Sequence, residues 1–306
     1  MREKNLVILD QKTVTQNDLS WEELSSMGIL TSYDESTHEE AKERLKEADA
    51  VFTSKIAITA DIMDAAPNLK YIGVLATGYD NVDLEAARER GIACTNIPAY
   101  SGEAVAQHTI GLILEMTNRI GLHSDAVRRG NWAYTRDFSF VIEPIVLLTG
   151  KSLGIVGYGD IGRRVAKVAE ALGMDVLVYS RDGDRALAAD FVTLHMPANE
   201  ETNGFINRET IGKMKDGACL INTARGALVD EPALVEALDS GKIRMFAADV
   251  VGKEPPAKDD PLTSHPKAII TPHNCWCPKE IRQRILDRTV ENYKSFLEGG
   301  RLNRVD

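Results

Sequence analysis

The chain is short of cysteine, of positive charge and of long apolar runs, and each shortage narrows what it can be. Four cysteines, Cys94, Cys219, Cys275 and Cys277, in 306 residues are too few for a disulfide framework. Stability must come from a core rather than cross-links, and reduced thiols are expected. No apolar stretch approaches the ~18 residues of a membrane-spanning helix. The first ten residues carry charges around a four-residue apolar run, which gives no secretory h-region. A cytoplasmic protein with no membrane partner is expected. Against 46 Asp and Glu stand only 36 Lys and Arg, a formal net charge of -10, which argues against a nucleic-acid or anionic-membrane surface. What the chain does have is hydrophobic residues, 43% of the total, enough at this length for two ordinary domains.

From the N-terminus the apolar runs LVILD, ILTSY, AVFTS, YIGVLA and IACTNI alternate with charged segments of helical length. Short branched strands separated by helices imply an open parallel sheet with helices on both faces. Residues 1–98 therefore form one α/β domain. The turn Leu75-Ala76-Thr77-Gly78-Tyr79 falls at the carboxyl end of its fourth strand, where such sheets take ligands, so its amides are candidate anion donors. Asn96-Ile97-Pro98 breaks the pattern, and Val105 to Thr117, VAQHTIGLILEMT, is a long apolar helix that joins the domains. After it comes a stretch with Trp132, Tyr134, Phe138 and Phe140 and no clean period. Local packing and contact with a second subunit both account for it.

The segment KSLGIVGYGDIGRRVAKVAEALGMDVLVYSR, Lys151 to Arg181, reads as strand, glycine turn, helix and strand. Gly157, Gly159 and Gly162 occupy the three positions of G-x-G-x-x-G, with Tyr158, Asp160 and Ile161 between them. The first glycine permits the tight turn, the second lets a pyrophosphate approach the backbone, and the third lets helix and strand pack closely. This is a dinucleotide site. Beyond it only DGDRALAAD separates Arg181 from the strand FVTLHMP. A parallel crossover needs about a dozen residues, so there is room for one short helix at most, and the outer strand of this sheet should be missing.

Polar residues stand where the later strands finish: Arg225 after ACLINTA, Asp249 after RMFAA, His273 after AIITP, with Glu254 a few residues into a loop. Strand ends converge on one crevice beside the glycine turn. Reduction of a 2-oxo acid needs a proton donor at the carbonyl oxygen, which His273 supplies if Glu254 keeps its imidazolium form available. Arg225 would grip the substrate carboxylate through paired hydrogen bonds. Cys275, Cys277 and one histidine fall short of a metal site, and oxidation sensitivity and a buried, inert role remain the alternatives for these two thiols.

The motifs GYGDIG, LINTARGALVDE, DVVGKEPP and TPHN, preceded by NLKYIGVLATGYDNVDLEAARERG, resemble in kind and order those of the D-isomer-specific 2-hydroxyacid dehydrogenases over nearly the whole chain. YSGEAVAQHTIGLILE, GKSLGIVGYGDIG and PHNCWCP are most similar to the glycerate dehydrogenase or hydroxypyruvate reductase branch. The resemblance implies two Rossmann-like, doubly wound parallel-sheet domains closing over a cleft. These are a discontinuous flavodoxin-like substrate domain, 1–98 with 280–306, and an NAD(P)-binding Rossmann domain, 99–279. It implies a homodimer held through the long helix and its extension. It assigns Arg225, Glu254 and His273 to catalysis on a small 2-oxo or 2-hydroxy acid such as hydroxypyruvate or glyoxylate. Cofactor contacts would come from residues 157–161, Pro197, Thr223, Asp249 and Thr109. Ala76, Thr77 and Gly78 would hold the substrate carboxylate, and Trp276 would wall the pocket. The same fold also serves a dinucleotide-sensing corepressor and dehydrogenases of formate or phosphite; the retained Arg225, Glu254 and His273 favour an enzyme, and the motif wording favours a 2-oxo acid.

For the cofactor, the decisive position follows the second strand, where NAD-specific relatives carry an acidic residue. Ser180 and Arg181 stand there. A hydroxyl and a guanidinium suit a 2′-phosphate, so NADP(H) is favoured over NAD(H), against the opposing charges of Asp182 and Asp184.

Overall fold

The computed structural model describes residues 3–306, which divide into two compact units: one runs to Ser101 and resumes at Cys277–Asp306, the other is Gly102–Trp276. The first holds five strands, β1 (Asn5–Ile8), β2 (Ile29–Ser32), β3 (Ala50–Thr53), β4 (Tyr71–Val74) and β5 (Ala93–Thr95). All pair in parallel, in the order β2-β1-β3-β4-β5, which is the flavodoxin-like order. These are the strands that the apolar runs predict. The inner strands β3 and β4 are buried at every residue, whereas the edge strand β2 is largely exposed, as the two-sided cover of a parallel sheet requires.

The last helix, Lys279–Leu297, belongs to this first unit and completes its core. Tyr293 is buried and meets Phe52 and Tyr71 edge-on, with ring centroids 5.6 and 5.0 Å apart. Arg282, also buried, forks onto Asp18 at 2.6 and 2.8 Å and donates to the carbonyls of Val14 and Thr15. A guanidinium is buried at tolerable cost only when its donors are matched in this way, and the Asp18 carboxylate supplies two of the matches.

The second unit carries β6 (Ser152–Val156), β7 (Asp175–Val178), β8 (Phe191–Leu194), β9 (Ala218–Asn222), β10 (Ile243–Ala248) and β11 (Ala268–Ile270), all parallel, in the order β11-β10-β9-β8-β6-β7. Side chains alternate between two apolar layers. Ile155, Phe191, Ile221 and Ala247 face one, with Ile113 and Met116 of the helix Gly102–Asn118, while Val156, Val192, Leu220 and Phe246 face the other.

The connection from β7 to β8 must cross β6, and it has only Tyr179 to Asp190 with which to do so. Where one short helix is expected, the chain makes two single turns, Tyr179–Asp182 and Asp184–Leu187, divided at Gly183 with φ +55°. No strand forms between Arg181 and Phe191. The outer strand is therefore missing, as the segment length predicts, and the sixth strand is β11 at the far edge. The short path works because it lies directly on β6: a Cβ on Gly154 would stand 1.8 Å from the Ala186 carbonyl oxygen. Asp190 ends the crossing by accepting the Ser152 amide and hydroxyl, both at 2.9 Å, and pairing with Lys215 at 2.7 Å.

The joining helix begins three residues earlier than its apolar stripe, and a second helix, Ile120–Arg128, follows it. That second helix was not foreseen because Ala126 alone is buried on it, so no stripe marks it. Tyr134 and Phe138, further on, are 88% and 89% exposed. Local packing does not account for them. Among the described residues no helix is long and apolar enough to cross a membrane.

Candidate active site

β6 runs into the glycine turn, and the turn into the helix Asp160–Ala171. Gly157 has φ +98°, in the left-handed region, and a Cβ there would lie 2.5 Å from the carbonyl carbon of His195 at the end of β8. A Cβ on Gly162 would lie 2.3 Å from the Gly157 oxygen, so helix and strand touch through it. Gly159 meets nothing within 4 Å. Its open face stands before the first-turn amides of a twelve-residue helix, the setting in which backbone N–H groups and the helix dipole receive phosphate. These residues fit a dinucleotide. Asp160 is paired with Arg164 at 2.9 Å, and Ile161 is half-buried against the sheet.

Around Tyr158 stand two guanidinium groups. Arg163 donates to its carbonyl at 3.3 Å, and Arg181 lies over its ring at 5.0 Å. Ser180 and Arg181 are exposed at the end of β7. The two acids beside them are engaged elsewhere: Asp182 turns back to accept the Val178 amide at 2.8 Å, and Asp184 pairs with Lys213 at 3.5 Å. Arg181 is left without an acidic partner within this turn.

His273 and Glu254 come together. Nδ1 lies 2.6 Å from Oε2, with about a third of each side chain exposed, and Oε1 accepts the Val251 amide at 3.1 Å. A carboxylate held at both oxygens fixes the ring and leaves Nε2 as the nitrogen that faces outward chemistry. His273 has φ +50°, an uncommon conformation for a residue with a Cβ. Its amide donates to the Thr271 carbonyl at 3.0 Å, and its own carbonyl takes the indole N–H of Trp276 at 2.9 Å. Trp276, expected as a pocket wall, thus braces the turn that carries His273.

Arg225 is exposed just after β9, where the buried Asn222 shapes the turn by donating to the Arg225 carbonyl at 2.8 Å and accepting the Ala224 amide at 3.0 Å. The following residue explains how the arginine comes close to the Glu254 loop. A Cβ on Gly226 would stand 2.0 Å from the Val251 oxygen, so the two loops touch backbone to backbone.

Three of the expected cofactor residues, Thr109, Thr223 and Asp249, have side chains bonded within the protein. Thr109 is fully buried, its hydroxyl bonded to the Val105 carbonyl at 2.8 Å and to the buried Thr223 hydroxyl at 2.9 Å. Asp249 is fully buried too. Its oxygens accept the Thr271 hydroxyl at 2.5 Å and the amides of Asn274 and Cys275 at 3.0 and 2.9 Å. These side chains are saturated by the protein and shape the site through their neighbours. Pro197 is exposed, its carbonyl accepting the Thr202 hydroxyl at 2.8 Å. Cys275 is buried and Cys277 half-buried. His108 and Thr271 escaped the sequence reading. A histidine beside Gln107 and Thr109 in the mostly apolar VAQHTIGLIL is the available signal.

In the first unit, the loop after β4 is fixed by its carbonyls and hydroxyl. Ile97 N–H donates to Ala76 O at 2.9 Å, Asn96 Nδ2 to Thr77 O at 2.8 Å, and the Thr77 hydroxyl to Ile97 O at 2.8 Å.

A family model described as D-isomer specific 2-hydroxyacid dehydrogenase, NAD binding domain, matches residues 110–275. The chain is 40% identical to the hydroxypyruvate reductase of Blautia hydrogenotrophica, over 98% of this chain and 99% of that protein. Among solved structures it is similar to D-lactate dehydrogenase from Aquifex aeolicus complexed with NAD and lactic acid, with a TM-score of 0.81, 31% identity and 99% of both chains covered. It is also similar to an acyclic imino acid reductase in complex with NADPH and D-Arg, with a TM-score of 0.83, 26% identity, and 99% and 100% covered. With the family model spanning more than half of the chain and 40% identity carried across its length, the chain belongs to the D-isomer specific 2-hydroxyacid dehydrogenase family and is an oxidoreductase with a dinucleotide-binding domain.

Proposed function

We propose that the protein interconverts a small 2-oxo acid, hydroxypyruvate or glyoxylate in kind, and the corresponding D-2-hydroxy acid. The observation that carries this reading is the 2.6 Å pair between His273 and Glu254, standing in the same unit as the glycine turn. When bound, the nicotinamide supplies or takes the hydride. His273 gives its proton to the carbonyl oxygen during reduction and removes it during oxidation. Glu254 holds the ring in orientation through Nδ1. Arg225 binds the substrate carboxylate with its planar fork. Within the first unit, the amides of Ala76, Thr77 and Gly78 are candidate anion donors.

NADP(H) is the preferred cofactor in this reading, because Arg181 is presented beside Tyr158 while Asp182 and Asp184 have other partners. A second copy of the chain covers the exposed Tyr134, Phe138 and Leu147 in a homodimer. We place the activity in the cytoplasm, where reduced nicotinamide and reduced thiols are both maintained. The test is oxidation of NADPH and NADH with hydroxypyruvate, glyoxylate, pyruvate and phenylpyruvate. The fastest turnover is expected with the first two; oxidation of formate or phosphite without turnover of any 2-oxo acid would overturn the assignment.

A further inference from the structure

Two consecutive residues of the helix Gly102–Asn118 reach the two turns that carry the candidate catalytic side chains. His108 Nε2 lies 2.9 Å from the hydroxyl of Thr271, two residues before His273. Thr109 Oγ1 lies 2.9 Å from the hydroxyl of Thr223, two residues before Arg225. Asp249 already accepts two backbone amides, so as a carboxylate it takes the Thr271 proton across 2.5 Å rather than giving one. Thr271 must then accept from His108, and Nε2 carries the hydrogen. Likewise Thr109 donates to the Val105 carbonyl and accepts from Thr223.

We propose that His108 is a positioning residue for His273, acting through the Thr271 hydroxyl and Asp249. The inference rests on the reading of His273 as the acid and base. Its physical content lies in a choice of acceptors. The Thr271 hydroxyl has a second acceptor within reach, the Ala248 carbonyl at 3.4 Å. The donor from His108 holds one lone pair of Thr271 and directs its proton to Asp249. Asp249 Oδ1 in turn fixes the Asn274 amide on the far side of His273. A residue at φ +50° keeps that conformation only when both flanks are held. Thr109, one residue on, is anchored to the Arg225 turn, so the helix gives both catalytic turns a common footing.

Steady-state kinetics of His108→Leu, His108→Gln, Thr271→Val and the His108→Leu, Thr271→Val pair test this, with NADPH and hydroxypyruvate as the probes. His108→Leu should lower kcat about 10-fold while both KM values stay within about twofold, because orientation is lost and binding is not. His108→Gln places an amide donor near the Nε2 position and should return kcat to within about threefold of wild type. In the Thr271→Val background His108→Leu should have a much smaller further effect, since its main route is the Thr271 bond and only the 3.7 Å approach of Nε2 to Asp249 Oδ1 remains. Wild-type kcat in His108→Leu, equal loss in His108→Gln, or a full additive loss in the double variant overturns the proposal. Should His108→Leu not fold, His108→Asn, too short to reach Thr271, takes its place in the cycle. His273→Ala separates the two levels: an active His273→Ala removes the underlying reading, whereas an inactive one beside a fully active His108→Leu removes only this inference.

Discussion

Glu254 binds His273 with one carboxylate oxygen and the Val251 amide with the other, at 2.6 and 3.1 Å, so the base partner of the imidazole is itself fixed to the loop that touches the Arg225 turn. His273→Ala should lower kcat about 100-fold or more with cofactor affinity unchanged. Glu254→Gln keeps the shape and loses the charge, and should lower kcat by roughly 10-fold. Stopped-flow oxidation of the reduced cofactor measures both, and near-normal turnover in His273→Ala would remove it from the chemistry.

Arg181 is expected to set the nucleotide preference. The ratio of kcat/KM for NADPH over NADH should exceed one and fall to about one or below in Arg181→Ala, most clearly at low salt. A preference for NADH in the unmodified protein would refute this role.

Gly154→Ala should destabilise the second unit, because the new methyl would overlap the Ala186 carbonyl and force the crossing off β6. The loss should be about 3 kcal/mol, seen as a fall of roughly 6–12 °C in Tm. Gly212→Ala is the control: it sits in a short helix with nothing within 4 Å, and the substitution should be neutral or slightly stabilising. Equal Tm values for the two variants would show that the crossing is not seated on the glycine.

His195 gives a pH signature. Its Nδ1 is sealed from solvent without a partner, and burial pushes the ring down to about 4 from an ordinary value of 6.5. The folded ring is therefore neutral at pH 7. As pH falls from about 6.5 to about 4, the unfolded chain takes up a proton that the folded one refuses, and stability is lost across that window. Below it this residue adds no further loss. Urea unfolding at pH 7, 5.5 and 4.5 should show the decline in the wild type and a shallower one in His195→Gln; identical slopes would exclude the residue as the source.

The parts of the molecule that were legible are those whose reasons are local. GYGDIG fixes a turn that only glycines allow at φ +98° and at the 2.3 Å approach of Gly162, and the strand ends at Arg225 and His273 follow from alternation and Pro272. The missing outer strand was legible from DGDRALAAD by length alone. What was not legible depends on contacts made across the sheet. Gly154 looks like any glycine in a strand until Ala186 is laid on it. His108 looks like a stray polar residue on an apolar helix until Thr271 meets it, 163 residues away in sequence. The position of Thr109 and Asp249 at the predicted site is legible in sequence, whereas the bonds their side chains make come from elements far along the chain.

The placement of Lys279–Leu297 also sets an order of maturation. On a growing chain the first unit is synthesised early, but the face of Phe52 and Tyr71 has no Tyr293 to close it, and Asp18 no Arg282, until the final helix emerges. The second unit is contiguous and ends at Trp276. At about 5–20 residues per second, the N-terminal sheet waits on the order of ten seconds for its last helix. The unit that starts second is complete first, and the earliest strands to be made are the last to be sealed.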